Sequence, residues 1–534
     1  MNISGNMKTL QELNDIDEEC SQFEENYESE SSEIENEHEF EIISISSDES
    51  EDIETAADGT VWEEMQACSR VGRAPRQNIF REVAGPTAYA KRNIMKGHVK
   101  SAFSLIIDRY IMEHIVKCSE AEATRVLETG WKLSRAKLDA FIGLLYARGA
   151  YESKNLKIAH LWNKTWGSSF FPRTMSRNDF SQIMRFIRFD NKTERSQRLR
   201  TDKFALISDI WDRFVQNSQI SYKPGEYITV DEQLFPTKAR CRFTQYMPNK
   251  PDKFGIKFWL AADVRSKYVV NAYPYLGKDE NRCASTPLGE YIVLKLMEPY
   301  MGCGRNVTTD NYFTSVSLVS KLLHKRTTLV GTIRANKKEL PQLAKIKKDN
   351  MTCLSTKLYK SSNCTLTIYK SRRNKKVSVI SSMHKSINIE TDGKQLPETI
   401  QFYNSTKFGV DVADQMARTY SVKSKSRRWP LQVFFNIIDL AGINAWVLYK
   451  EATGDKLSRQ TFLFKLAEEL ASEYQQCQNV KESHTSTSHT LSAVRKTCQI
   501  GFCNKNKTNK VCSSCAKYVC GGCAIENVIL CKKC

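Results

Sequence analysis

A change of pattern at about residue 226 constrains the fold of this chain more than any other feature. The preceding segment has helical periodicity, whereas the next hundred residues consist of short runs rich in β-branched and aromatic side chains, which are typical of strands. One helical pattern interrupts these runs before the last of them. In chain order, the predicted elements are strands at Tyr227–Phe235, Ile256–Ala262, Tyr268–Leu276 and Asn306–Asp310, a helix at Ser315–His324 and a strand at Thr328–Ile333.

Acidic residues accompany this order at three places. Asp231 lies in the first strand pattern and Asp310 ends the fourth, which together indicate an RNase-H-like mixed sheet. Asp411 and Asp414 are three residues apart, so both carboxylates share one face of a helix. Carboxylates in these settings converging on two divalent cations would drive displacement at a phosphate. A lone aspartate is more often a cap or turn residue, and Asp310 would serve as a cap. The combination favours nuclease-like phosphoryl transfer.

The charge of the chain is unevenly distributed. The first 58 residues contain 20 acidic residues and one lysine, so the remainder carries about +37 against +18 for the whole chain. A body this basic is expected to bind a polyanion, and nucleic acid is the leading candidate. The alternative is a basic protein whose charge serves solubility alone.

The N-terminal 79 residues are predicted to be disordered, because they are rich in Glu and Ser and poor in apolar periodicity. They would form a solvated tail or, alternatively, a shield for the basic body. No secretory signal is present. The most apolar stretch, 434–449, contains polar residues and is interpreted as a core helix, so no membrane partner is expected. An intracellular location makes a disulfide framework from the 17 Cys improbable.

Residues 335–400 interrupt the strand-and-helix order and are rich in lysine. A hairpin is predicted from Cys364–Tyr369 and Val377–Ser382, with Arg372 and Arg373 in its turn. We interpret this segment as an inserted β subdomain with a basic tip that contacts DNA.

Eight cysteines lie in the last 37 residues and form four close pairs. Four pairs supply two tetrahedral thiolate sites for structural Zn²⁺. Interleaved pairing would give a cross-brace finger, and the spacing also permits sequential pairing. Neighbouring lysines favour DNA as the partner; a dimerising cap and a RING-type ubiquitin ligase are the alternatives. The ligands would be Cys498, Cys503, Cys512, Cys515, Cys520, Cys523, Cys531 and Cys534.

The segment 423–430 places cations beside an aromatic residue. Lys425, Arg427 and Arg428 are suited to DNA phosphates, and the Trp429 indole to stacking on bases. The alternative is that Trp429 anchors the core at a helix start, with Pro430 at the first helical position.

Five motifs in this order resemble the piggyBac superfamily of transposases, from about residue 80 to the C-terminus. They are 175–190 (MSRNDF…RFIRFD), Val230-Asp231-Glu232, 309–315 (TDNYFTS), 409–415 (GVDxxDQ) and 427–430 (RRWP). The resemblance implies a cut-and-paste DNA transposase with an RNase-H-like fold, which cleaves transposon ends and joins them to TTAA targets. Its members act on terminal inverted repeats in double-stranded DNA, and the resemblance implies a homodimer in the nucleus.

Site residues follow from the resemblance position by position. Asp231, Asp310 and Asp411 would hold two Mg²⁺ ions, with Asp414 as an accompanying acid. Trp429 would contact the TTAA region, with the two arginines before it on nearby backbone. The cysteine-rich module would bind the inner part of the terminal repeat. The first Cys pair has a four-residue spacer and all eight ligands are Cys, which departs from the family pattern and puts that repeat specificity in doubt.

The expected organisation has eight segments, including a helical dimerisation and DNA-binding domain that is discontinuous in sequence. The segments are an acidic region (1–79), the helical domain (80–225 and 421–480), the catalytic domain (226–334 and 401–420), the inserted subdomain (335–400), a linker (481–496) and the zinc module (497–534).

The alternative function is that of a domesticated DNA-binding protein without transposition activity.

Overall fold

The structure is a computed structural model. It describes residues 53–67, 79–248, 250, 252–277, 282–283, 285–346, 349–391, 393–485, 496–500, 503, 506–508, 510–512, 515–525 and 528–531. The acidic head before residue 53 and most of the predicted linker lie outside these residues. The α-helices are α1 (Ala88–Asn93), α2 (Val99–Ile106), α3 (Arg109–Leu127), α4 (Arg135–Ala150), α5 (Ile158–Leu161), α6 (Phe170–Thr174), α7 (Arg177–Phe186), α8 (Arg195–Arg198), α9 (Ser208–Ser221), α10 (Leu288–Met297), α11 (Val316–His324), α12 (Gln342–Lys345), α13 (Glu398–Thr406), α14 (Gly409–Thr419), α15 (Trp429–Thr453) and α16 (Arg459–Thr485).

Most of the strands belong to one 11-stranded sheet, and short two-stranded pairs account for the others that the described residues form. The strands are β1 (Ile53–Thr55), β2 (Val61–Met65), β3 (Gly85–Pro86), β4 (Tyr222–Lys223), β5 (Tyr227–Pro236), β6 (Thr244–Tyr246), β7 (Phe254–Asp263), β8 (Val269–Pro274), β9 (Asn306–Thr309), β10 (Thr328–Thr332), β11 (Ser355–Lys360), β12 (Thr365–Arg372), β13 (Lys375–Ser381), β14 (Lys496–Thr497), β15 (Lys507–Thr508), β16 (Ala524–Ile525) and β17 (Val528–Cys531).

The centre of the large sheet has the predicted RNase-H-like arrangement. Its order is β8-β7-β5-β9-β10, in which β7 is antiparallel to β8 and β5, whereas β9 is parallel to β5 and β10. The five strand patterns and the helix pattern of the sequence all correspond to elements here. Strands such as β9 are buried along their whole length, which explains why they read as continuous β-branched runs.

The lysine-rich insertion forms β structure, as predicted, and this β structure continues the central sheet. The predicted hairpin is present as β12 and β13, and β13 pairs antiparallel with β10 of the central sheet. The sequence did not reveal this pairing because the partner strands are about 50 residues apart.

Residues 53–65 form a hairpin, which differs from the disorder predicted for this part of the N-terminal segment. β1 pairs with β2, and β2 adds to the edge of the sheet along β11. Trp62 is fully buried and its Nε1 donates to Glu339 O at 2.8 Å. Glu63 forms an ion pair with Lys360 at 2.9 Å. This short segment is ordered by contacts with residues some 300 positions away, which its local composition does not indicate.

The helical segments on either side of the catalytic domain pack together. Tyr146 of α4 donates a hydrogen bond from its hydroxyl to Ile438 O of α15 at 2.7 Å. A Cβ at Gly143 would lie 2.8 Å from Ala467 O, so glycine permits the close approach of α4 and α16. Among the described helices, α15 alone is long and apolar enough to span a membrane, and 94% of that stretch is buried inside the protein. This supports its interpretation as a core helix.

Candidate active site

Two adjacent strands bring the first two predicted acids together. β5 and β9 are parallel and Val230 is in register with Thr309, so Asp231 and Asp310 follow side by side. Glu232 joins them: the carboxylate oxygens of these three residues lie within 4.8 Å of one another. Glu232 was not predicted as a site residue, although it directly follows Asp231, because neighbouring side chains of a regular strand point to opposite faces of the sheet.

Helix α14 carries Asp411 to the same place. A Cβ at Gly409, the first residue of this helix, would lie 2.5 Å from Thr229 Oγ1, so only glycine allows the helix to approach β5 this closely. Thr229 Oγ1 in turn donates to Thr406 O at 2.6 Å, which fixes the end of α13 to the strand. Asp411 is near enough to Asp231 for its charge to raise the pKa of that carboxyl.

The electrostatics of the cluster disfavour ionised carboxylates in the metal-free protein. Burial raises the pKa of Asp231 well above its usual range, and the charges of Glu232 and Asp411 raise it further. Burial, followed by the charge of Glu232, raises the pKa of Asp310 to about 6. Burial likewise raises the pKa of Asp411. Repulsion of this kind is relieved by a bound cation.

The cluster fits a hard divalent metal ion. Its donors are all carboxylate oxygens, the ligand type that Mg²⁺ and similar ions prefer, and their separations permit shared coordination. Backbone amides orient the donors: Tyr312 N donates to Asp310 Oδ1 at 2.9 Å, and Glu232 N donates to Asp231 Oδ1 at 2.7 Å.

Asp414 has a different environment from the other three acids. Its Oδ1 accepts from Gln233 Nε2 at 2.8 Å, and its Oδ2 accepts from Arg418 Nε at 2.9 Å. Both carboxylate oxygens therefore bind protein groups. Lys250 was not predicted as a site residue either, and its Nζ lies 3.8 Å from Asp411 Oδ1. No motif in the sequence indicates that contact.

The segment before α15 divides its cations between two roles. Lys425 and Arg427 are exposed, as the DNA-binding interpretation requires. Arg428 is half-buried and donates to two carbonyls at the end of α7, one of them Ile187 O at 2.8 Å and the other Met184 O. These contacts cap the helix terminus. Arg428 is thus held by the protein itself, and its contact with the DNA backbone stays a prediction.

Trp429 is the first residue of α15, followed by Pro430 in the first turn. Its ring stacks on Phe204 with centroids 5.6 Å apart and meets Phe243 edge-on at 5.0 Å. Trp429 therefore packs into the core at the start of a helix, as the alternative interpretation of the sequence predicted. The same residue also lines a cleft of about 270 Å³ together with Arg427 and other basic residues, so part of the indole faces a cationic surface.

Arg372 and Arg373 are exposed at the turn of the β12–β13 hairpin, where the basic tip was expected.

In the C-terminal module, the sulfur atoms of the first and third cysteine pairs lie within 4.8 Å of one another. These residues are Cys498, Cys503, Cys520 and Cys523. This geometry corresponds to interleaved pairing and suits a tetrahedral metal ion. Cys512 and Cys515 are described, whereas Cys534 and the side chain of Cys531 lie outside the described residues.

Comparisons with known proteins identify the family to which the chain belongs. A family model described as Transposase IS4 matches residues 100–446. The chain is 23% identical over 367 residues to PiggyBac transposable element-derived protein 3 of Homo sapiens, covering 65% of this chain and 60% of that protein. It is 24% identical over 296 residues to PiggyBac transposable element-derived protein 2 of Homo sapiens, covering 51% and 48%. The chain thus spans less than two thirds of these relatives.

A solved structure is similar over most of the chain. It is the cryo-EM structure of a piggyBac transposase synaptic complex with hairpin DNA, with a TM-score of 0.71 and 28% identity, covering 85% of this chain and 100% of that one. The family implies nuclease-type chemistry with a divalent metal ion. The matched region, the strand order and the gathered carboxylates lead to one conclusion: this chain belongs to the piggyBac-type transposases of the Transposase IS4 family.

Proposed function

We propose that the protein is a cut-and-paste DNA transposase that cleaves transposon ends and joins them to TTAA targets. The observation that carries this proposal is the group of half-buried carboxylates Asp231, Glu232 and Asp310 on an RNase-H-like sheet, with Asp411 of α14 close enough for its charge to act on Asp231. The similarity of 85% of the chain to a transposase in a synaptic complex with hairpin DNA supports DNA as the substrate. The terminal inverted repeats, a homodimer and action in the nucleus are parts of the same proposal.

Asp231, Asp310 and Asp411 would hold two Mg²⁺ ions, and Glu232 stands close enough to contribute an oxygen. When bound, such ions activate the attacking water or 3′-OH and stabilise the leaving oxygen. The protein groups fix the carboxylates in place, and the exposed cations Lys425, Arg427, Arg372 and Arg373 position the DNA.

The cysteine-rich module would bind two structural Zn²⁺ ions, one of them at Cys498, Cys503, Cys520 and Cys523. We expect Cys498→Ser to lose one of the two ions on measurement of zinc content by atomic emission. Cys477→Ser provides the control, because Cys477 is exposed on α16 outside the module. Unchanged zinc content in Cys498→Ser would exclude this site.

A cleavage assay tests the function. Purified protein, Mg²⁺ and a duplex carrying the terminal repeat next to TTAA are expected to give nicks and hairpins. Asp310→Asn should abolish both while leaving DNA binding largely intact. Asp58→Asn makes the same chemical change at an exposed turn of the N-terminal hairpin and should cut normally. Tight binding without cleavage by the unmodified protein would instead indicate a domesticated DNA-binding protein.

A further inference from the structure

Lys250 places a positive charge against the carboxylates of the candidate active site. It lies in the turn between β6 and β7, and its Nζ is 3.8 Å from Asp411 Oδ1. Only 25% of its side chain is exposed. The charges of Asp231, Glu232 and Asp414 act on the same ammonium group. One ammonium group therefore faces four carboxylates.

The backbone that carries Lys250 is fixed by other contacts. Met247 N donates to Lys253 O at 2.8 Å, and Lys250 N donates to Met247 O at 3.2 Å. Asp252 pairs with Arg418 of α14 at 3.1 Å, which ties the turn to the helix that carries the candidate metal ligand. The ion pair of Lys250 is therefore not needed to hold the turn in place.

The distance indicates that the ammonium is not committed to one partner. Charge-assisted hydrogen bonds between ammonium and carboxylate groups are about 2.7–2.9 Å long, and the separation from Asp411 is 3.8 Å. The lysine side chain has a flexible stem of four carbons, so Nζ can move while the backbone of the turn stays fixed. A divalent ion on the carboxylates would repel this ammonium, and a DNA phosphate beside the ion would attract it.

We propose that Lys250 is a positioning residue with two partners: it neutralises the carboxylates when no metal ion is bound, and it pairs with the DNA phosphate at the site once metal ions bind. This inference rests on the proposed function for its second part alone. The first part concerns metal binding and is testable without DNA.

Mn²⁺ binding to the full-length, zinc-loaded protein tests the first part. Lys250→Met keeps the length of the side chain without its charge, and should bind Mn²⁺ about tenfold more tightly than the unmodified protein because a competing cation is lost. Its melting temperature without metal should fall and recover with Mn²⁺. Lys250→Arg and Lys253→Met, a change at an exposed lysine of the same turn, should bind Mn²⁺ normally. Equal affinities for Lys250→Met and the unmodified protein would overturn the proposal.

Lys250→Gln repeats the titration with a neutral polar side chain, in case Lys250→Met does not fold. Single-turnover cleavage of the terminal-repeat duplex tests the second part. Both neutral variants should cut more slowly, with DNA affinity lowered by no more than the loss of one phosphate contact, and Lys250→Arg should recover most of the rate. Cleavage at the normal rate by the neutral variants would overturn the phosphate contact. An unmodified protein that binds Mn²⁺ but does not cut would refute the proposed function, and the Mn²⁺ comparison would still decide the role of Lys250 as a competing cation.

Discussion

Gln233 of β5 donates a hydrogen bond from Nε2 to Asp414 Oδ1 at 2.8 Å, and its Oε1 accepts from Asn436 Nδ2 of α15 at 2.9 Å. This buried side chain therefore links strand β5 to helices α14 and α15. The link fixes the position of α14, and with it the position of Asp411. Asp414 thus serves as the attachment point of a helix, in addition to any direct effect of its charge on the metal site.

We expect Asp414→Asn to reduce cleavage by about tenfold, whereas Asp411→Asn should abolish it. Asn can keep one of the two hydrogen bonds of Asp414 but loses the charge opposite Arg418, and a lost charge-assisted bond of this kind costs about 1.5–3 kcal/mol. Single-turnover rates at saturating Mg²⁺ measure the difference. Equal loss of activity in the two variants would show that Asp414 is itself a metal ligand.

Arg427 and Arg428 are adjacent, but replacing each of them by Ala should affect a different property of the protein. Arg428→Ala removes the hydrogen bonds from the guanidinium to two carbonyls at the end of α7, so the melting temperature should fall. Arg427→Ala removes an exposed cation, so DNA affinity should fall while the melting temperature stays constant. Thermal unfolding and DNA titration of both variants test this contrast. A stable Arg428→Ala protein that loses DNA affinity would show that Arg428 contacts DNA.

Trp62→Ala should destabilise the N-terminal hairpin and the sheet edge beneath it. Replacing a fully buried large aromatic by Ala costs about 3–5 kcal/mol, and the indole also donates to Glu339 O. Amide hydrogen exchange in β2 and β11 should accelerate. Trp166→Ala is the matched control, because that side chain is 85% exposed. Unchanged exchange in β11 after Trp62→Ala would contradict the pairing of β2 with this edge.

The buried carboxyl group of Asp439 should make the stability of the folded protein depend on pH. It is buried on α15 and accepts from Ser421 Oγ at 2.6 Å and Val422 N at 2.8 Å; burial raises its pKa from 3.8 to about 7. Since the folded state favours the protonated form, its contribution to the free energy of unfolding is fully present below about pH 4 and is lost as the pH rises through 7.

The loss amounts to about 4 kcal/mol at most. Asp439→Asn cannot ionise, so its melting temperature should fall less than that of the unmodified protein between pH 5 and pH 8. Parallel curves for the two proteins over this range would show that Asp439 does not titrate there.

The central sheet was predictable because each of its strands carries a local signal. β5, β7 and β9 are short runs rich in β-branched, aromatic or other apolar residues, and their order along the chain restricts the topology to a few arrangements. Asp231 and Asp310 could be placed because each lies in or directly after such a run. These features depend on neighbours in sequence.

The features that were missed depend on contacts between distant residues. The β2 strand is ordered by β11, about 300 residues away, and its own composition resembles the acidic head. Arg428 looks like a DNA-binding residue until its carbonyl partners, about 240 residues earlier, are known. Lys250 shows no motif at all, since its place in the site depends on how the β6–β7 turn meets α14.

We expect metal ions held by Asp231, Asp310 and Asp411 to act directly on the phosphate that is cut. Replacing a non-bridging oxygen of the scissile phosphate by sulfur tests this role, because Mg²⁺ prefers oxygen ligands and Mn²⁺ accepts sulfur more readily. One phosphorothioate isomer should block cleavage in Mg²⁺, and Mn²⁺ should restore it. Equal cleavage of both isomers in Mg²⁺ would show that no metal ion contacts the scissile phosphate.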